Sequence, residues 1–127
     1  MLVDDDEITN LINIALLSRD HSKEDVIAYT SPRNALNYLM EVVQGSGEKI
    51  PAIIFLDINM PLMDGWEFLE EFQKMPAQAL SKCRIFILSS SIDLEDVEKA
   101  KEYPIVQDFI SKPLTAQKLQ AIMFKTS

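Results

Sequence analysis

The chain has 127 residues, 47% of them hydrophobic and 25% charged, with a net charge of -8 and a pI near 4.5. This is the length and apolar content of one domain with a real core, which excludes a disordered chain, and an acidic balance without a segregated basic patch excludes direct nucleic-acid binding and contact with anionic membrane. The single cysteine, Cys83, excludes an intramolecular disulfide, and with no signal peptide and no apolar run near the ~18 residues of a membrane span the expected compartment is the cytoplasm.

In chain order, short apolar runs alternate with helical patterns. Met1 to Val3 reads as the tail of a strand, and the acidic run Asp4 to Glu7 opens a helix whose Ile8, Leu11, Ile12, Ala15 and Leu16 recur at the spacing of one inward face. Val26 to Tyr29 is a second short strand. Thr30, Ser31 and Pro32 start a second helix with a buried stripe of Ala35, Leu36, Leu39, Met40 and Val43. Gln44 to Lys49 is linker-like but too short to separate domains.

Pro51 to Gly65, PAIIFLDINMPLMDG, is the stretch around which the rest is organised. Its run Ala52 to Leu56 suits a strand covered on both faces, Asp57 stands where that run stops, and Pro61, Asp64 and Gly65 supply turn chemistry. A third helix follows with Trp66, Phe68, Leu69 and Phe72 on its face, then a long connection from Met75 to Cys83. Arg84 to Leu88 is another buried strand ending in Ser89, Ser90 and Ser91. Asp93 caps a fourth helix with a weak stripe of Leu94, Val97 and Ala100. Ile105 to Ile110 is a fifth strand ending at Ser111, Lys112 and Pro113, and a last helix from about Thr115 to Phe124 turns Leu119, Ile122 and Met123 inward.

Five strand–helix units predict an α/β fold of the flavodoxin-like, doubly wound kind, a parallel sheet with right-handed crossovers and helices on both faces. In the strand order 2-1-3-4-5 the winding reverses between the first and third strands, and ligands bind beyond the carboxyl ends of the strands there. That order gathers Asp4 and Asp5, Asp57, Ser89 and Lys112 at one site. Three crowded carboxylates either take up protons or hold a hard divalent cation, and Mg2+ fits best: Asp5 and Asp57 as ligands, Asp4 through water, and the backbone carbonyl of Asn59. Lys112 and the Ser89 hydroxyl would bind phosphoryl oxygens arriving at Asp57, which makes Asp57 a carboxylate nucleophile and an aspartyl phosphate the product.

These residues carry a resemblance. VDDD at Val3 to Asp6, LDINMPLMDG at Leu56 to Gly65, LSSS at Leu88 to Ser91, and Lys112 with Pro113 resemble the receiver domain of two-component response regulators, the family that includes the bacterial chemotaxis response regulator. The resemblance covers nearly the whole chain and implies a single receiver domain, 1–127, in a phosphorelay. It implies that a sensor histidine kinase or phosphotransfer protein phosphorylates Asp57, that Asp4 and Asp5 hold Mg2+, that Ser89 is the switch hydroxyl and Phe109 the switch aromatic, and that Lys112 binds phosphate. It also implies a downstream protein target on the surface of the fourth helix, fifth strand and fifth helix. Only three residues precede Asp4, fewer than the family's first strand carries, so the sequence reads as cut short at its N-terminus; the Gln44–Lys49 and Met75–Cys83 connections are long for the family.

Each residue alone has a duller reading: Asp4 to Glu7 as a solvated helix start, Asp57 as a turn residue, Ser89 as a backbone-satisfying hydroxyl, Lys112 as an exposed lysine. His21 reads as solvated and Cys83 as an inert strand-start residue. A flavin carrier would need a glycine-rich phosphate loop where four acids stand, and an aspartyl phosphohydrolase a second carboxylate at position 59, which is Asn. The remaining rival is an unphosphorylated pseudo-receiver serving as an interaction module.

Overall fold

The computed structural model describes residues 1–19, 26–90 and 93–126, so His21 and Ser91 lie outside the described residues, as does the side chain of Met123. The elements are β1 (Leu2–Val3), α1 (Glu7–Leu17), β2 (Ala28–Tyr29), α2 (Pro32–Gln44), β3 (Ile53–Asp57), α3 (Gly65–Gln73), α4 (Ala77–Leu80), β4 (Arg84–Ser89), α5 (Leu94–Ala100), β5 (Val106–Ser111) and α6 (Ala116–Thr126). All strand pairs are parallel and the order is β2-β1-β3-β4-β5. The long connection after α3 contains the single turn α4, so the expected fourth and fifth helices are α5 and α6.

Period-two alternation along the strands divides the core between the faces of the sheet. Val3, Ile54, Leu56, Ile85 and Ile87 pack with Ala35, Leu36 and Leu39 of α2 and with Phe68, Leu69 and Phe72 of α3. Leu2, Phe55, Phe86, Leu88 and Ile110 pack on the other face with Leu17 of α1 and with Leu119 and Ile122 of α6. Each such side chain stabilises the fold by about 1.5–3 kcal/mol relative to exposure, which is why β3 and β4 read as unbroken apolar runs.

Helix starts follow their caps. Asp6 accepts from the Ile8 and Thr9 amides, Ser31 from Asn34 with Pro32 behind it, and Asp93 from Glu95; Asp64 and Glu67 close a capping box on α3.

Two expected inward faces are corrected. In α1, Ile8, Leu11 and Ile12 are 68%, 60% and 59% exposed, and the residues turned inward are Asn10, Asn13 and Leu17. In α5, Leu94 is exposed and Ala100 alone is buried, and in α2 Met40 sits at the exposed margin of its stripe. The first of these reversals has a cause in the site. The second follows from the shortness of α5, seven residues that cover little of the sheet.

The turn between β3 and α3 is held by close backbone approach. The Gly65 amide donates to the Ile58 carbonyl at 3.1 Å, and a Cβ on Gly65 would lie 2.6 Å from Ile58 Cα and 2.9 Å from the Asp57 carbonyl oxygen. Those neighbours are backbone and cannot swing aside. Gly65→Ala is therefore expected to lower stability by about 1–3 kcal/mol in chemical denaturation, as overpacking does, whereas Gly45→Ala, whose nearest neighbours are 3.7 Å away, should cost less; equal stabilities would contradict this packing.

Candidate functional site

The site lies beyond the carboxyl ends of β1, β3, β4 and β5, and strand register builds it. Val3 pairs with Leu56, so the next residues in register, Asp4 and Asp57, stand side by side at the point where the winding reverses. Ser89 and Ser111 pair at the ends of β4 and β5, and the Lys112 amide donates to the Ser89 carbonyl at 2.8 Å, which aims the following side chain across the strand ends. The Lys112–Pro113 peptide is cis.

The side chains meet accordingly. Lys112 Nζ lies 2.7 Å from Asp4 Oδ2 and 3.5 Å from Asp57 Oδ2. Asp4 and Asp57 are buried, Asp5 is exposed at the rim, and one oxygen from each of the three lies within 4.8 Å of the others. All three donors are carboxylate oxygens, so the set suits a hard divalent cation better than a softer metal that prefers nitrogen or sulfur. Asp57 Oδ1 accepts the Asn59 amide at 3.0 Å and Asp4 Oδ1 the Asp6 amide at 2.9 Å, which leaves an Oδ2 of each turned toward Lys112.

Burial pushes the Asp57 carboxyl up to about 6 from 3.8, with the Asp4 and Asp5 charges adding to it and the Asn59 amide and Lys112 opposing it. Burial pulls the Lys112 ammonium down, but its hydrogen bond to Asp4 and the charges of Asp57 and Asp4 outweigh that, so the net direction is up. The pair is thus a lysine held charged beside a carboxylate that ionises reluctantly.

The remaining expected residues surround this centre. Ser89 is fully buried at the end of β4, Asn59 is exposed after β3, and Phe109 is half-buried on the edge strand β5. Leu62, in the loop above Asp57, is fully exposed with a left-handed φ of 69°.

Sequence reading passed over Asn10. Its Nδ2 donates to the Asp4 carbonyl oxygen at 2.9 Å inside the protein, and the spacing of Asn10 and Asn13, three apart on one helical face, was the available signal. It also did not find the aromatic contact between α3 and the turn that follows α5. Trp66 stacks on Tyr103 with ring centroids 5.8 Å apart, Lys99 Nζ stands 4.9 Å from the Trp66 ring, and the Tyr103 hydroxyl donates to Glu70 at 2.8 Å. Cys83 is buried, donates to the Pro51 carbonyl oxygen, and has its thiol pushed up to about 11 by burial, consistent with an inert residue.

Comparison with known proteins agrees with this geometry. The family model described as response regulator receiver domain matches residues 1–124. A solved two component response regulator from Cytophaga hutchinsonii is 36% identical, with a TM-score of 0.83 over 98% of this chain and 92% of that one. The hybrid signal transduction histidine kinase L of Dictyostelium discoideum is 31% identical over 98% of this chain, and the probable methanogenesis regulatory protein FilR2 of Methanothrix harundinacea is 28% identical over 68% of it. The chain spans 7% of the former relative's length and 53% of the latter's. Among the described residues no helix is long and apolar enough to cross a membrane. With a family model matched along almost its entire length, a sheet of order 2-1-3-4-5 and an acidic cluster facing a lysine at the strand ends, the chain belongs to the response regulator receiver domains of two-component signalling.

Proposed function

We propose that this receiver is a working phosphorylation switch in which Asp57 accepts a phosphoryl group from a sensor histidine kinase or a phosphotransfer protein. The observation that carries the reading is the convergence of Asp4, Asp5 and Asp57 with Lys112 at one end of the sheet. A pseudo-receiver retains the fold without needing a charged lysine against two buried carboxylates.

Asp57 supplies the nucleophile: one carboxylate oxygen forms an O–P bond as the donor's N–P bond breaks, and the electron pair returns to the imidazole nitrogen. Lys112 stays protonated and pairs with a phosphoryl oxygen, and the Ser89 hydroxyl hydrogen-bonds another. Asp4, Asp5, Asp57 and the Asn59 carbonyl would hold Mg2+, which when bound offsets the phosphoryl charge. The domain thereby catalyses its own phosphotransfer and turns over no external substrate. The stripe Ile8, Leu11 and Ile12 stands exposed on the helix that starts at the site, which supports a protein donor.

Phosphorylation adds roughly 1.5–2 negative charges to the site. Ser89 moves toward the phosphoryl group and Phe109 turns inward, shifting the surface of α5, β5 and α6 between two states that bind a downstream protein differently. The exposed Leu94 and half-buried Phe109 are suited to such a surface. The reading is of one receiver unit, 1–127, in the cytoplasm, acting without direct nucleic-acid or membrane contact.

Incubation with acetyl phosphate and Mg2+ should add the mass of one phosphoryl group to the wild type and none to Asp57→Asn. A gain that persists in the variant would sink the assignment, and no gain in the wild type would favour the pseudo-receiver. Stability supplies a second test. Because the Asp57 carboxyl is raised from 3.8 to about 6, its ionised form is disfavoured in the fold, and its penalty grows as pH rises through that window and is constant above it. Without divalent cations, Asp57→Asn should therefore be more stable than wild type at pH 7.5 by about 2–3 kcal/mol, each pKa unit being worth about 1.4 kcal/mol, and the difference should close toward pH 4. Added Mg2+ should stabilise the wild type alone. A variant less stable than wild type at pH 7.5 would contradict the electrostatic account.

A further inference from the structure

Helix α1 turns two amides inward beside Leu17 and leaves Ile8, Leu11 and Ile12 outward. Asn10 and Asn13 are each 4% exposed, while Ile8, Leu11 and Ile12 keep more than half of their surface in water. Burying an amide is unfavourable unless its polar atoms are bonded, so this orientation needs a compensating role. The Asn10 amide has one such bond, from Nδ2 to the Asp4 carbonyl oxygen at 2.9 Å; its Oδ1 is buried with no partner among the described residues. The residue whose peptide it holds is the one whose carboxylate is divided between the Asp6 amide through Oδ1 and Lys112 through Oδ2.

We propose that Asn10 is a positioning residue for the acidic site: its side-chain amide anchors the Asp4 peptide and thereby fixes the direction of the Asp4 carboxylate toward Lys112 and Asp57. A bond from α1 back to the end of β1 closes the turn between them. With that peptide held, the carboxylate has one arrangement that meets both donors. Without it, Asp4 would rotate with the turn, and the three carboxylate oxygens would no longer be held within the span a single small cation bridges. Asn13, one turn further along the same buried face, controls for burial of an amide as such.

The inference rests on the reading of Asp4, Asp5 and Asp57 as a Mg2+ site, and calorimetric Mg2+ titration separates the two. The wild type should bind Mg2+, Asn10→Leu should bind it about tenfold more weakly, as loss of an outer positioning group does, and Asn13→Leu should match the wild type. In denaturation without divalent cation, Asn10→Leu should unfold at a lowered midpoint, because the buried Asp4 carbonyl oxygen loses its side-chain donor. A purely structural asparagine predicts that lowered midpoint with unchanged Mg2+ affinity, so the affinity is the reading that separates the two roles. If Asn10→Leu fails to fold, Asn10→Ala carries the same expected affinity loss. Wild-type affinity in the Asn10 variants, or an equal loss in Asn13→Leu, would overturn the inference with the site reading intact. No Mg2+ binding by the wild type would overturn both.

Discussion

The structure depends on one charge placed where charge is expensive, the carboxylate of Asp57 at the end of a buried strand. Burial raises its ionisation toward neutral pH, and two further acids, Asp4 and Asp5 at the end of the neighbouring strand β1, add to the cost. Such a group persists in a fold only when something opposite meets it. Lys112 meets it in part, shared with Asp4 at a shorter distance, 2.7 Å against 3.5 Å. The balance is incomplete: one lysine faces three carboxylates, and the site keeps an excess of negative charge.

The rest of the fold serves to hold those groups without letting them relax apart. Parallel pairing of β1 with β3 fixes Asp4 beside Asp57, and pairing of β4 with β5 brings Lys112 across. Gly65 lets α3 start against the backbone of Asp57 and Ile58, so the loop carrying Asn59 cannot move off the strand end. Asn10 ties α1 to Asp4 from behind. Two aromatic-and-aliphatic core layers, built on opposite faces of the same strands, make this end of the sheet stiff, while the edge strand β5 carries Phe109 half-exposed between α5 and α6.

Much of this was legible in the sequence because it is written in local patterns. Unbroken apolar runs marked β3 and β4, helix-start residues marked Ser31 and Asp93, and the acids, hydroxyl and lysine fell at strand ends once the order 2-1-3-4-5 was chosen. The inward face of α1 was misjudged because helical periodicity reports amphipathicity, not which side a protein spends on function. Ile8, Leu11 and Ile12 form a proper stripe, but Asn10 has a partner that only tertiary structure supplies. β2 is shorter than its apolar run, and the contact of Trp66 with Tyr103 joins residues far apart in the chain, beyond the reach of any local rule.

The central claim is that the nucleophile is Asp57 and that its product is an acyl phosphate. Borohydride reduces an acyl phosphate to the alcohol, so trapping the phosphorylated protein and mapping its peptides reads the modified position directly. The account predicts homoserine at position 57 and aspartate retained at positions 4 and 5. Reduction at another carboxylate, or phosphate recovered on a serine or on histidine, would contradict it.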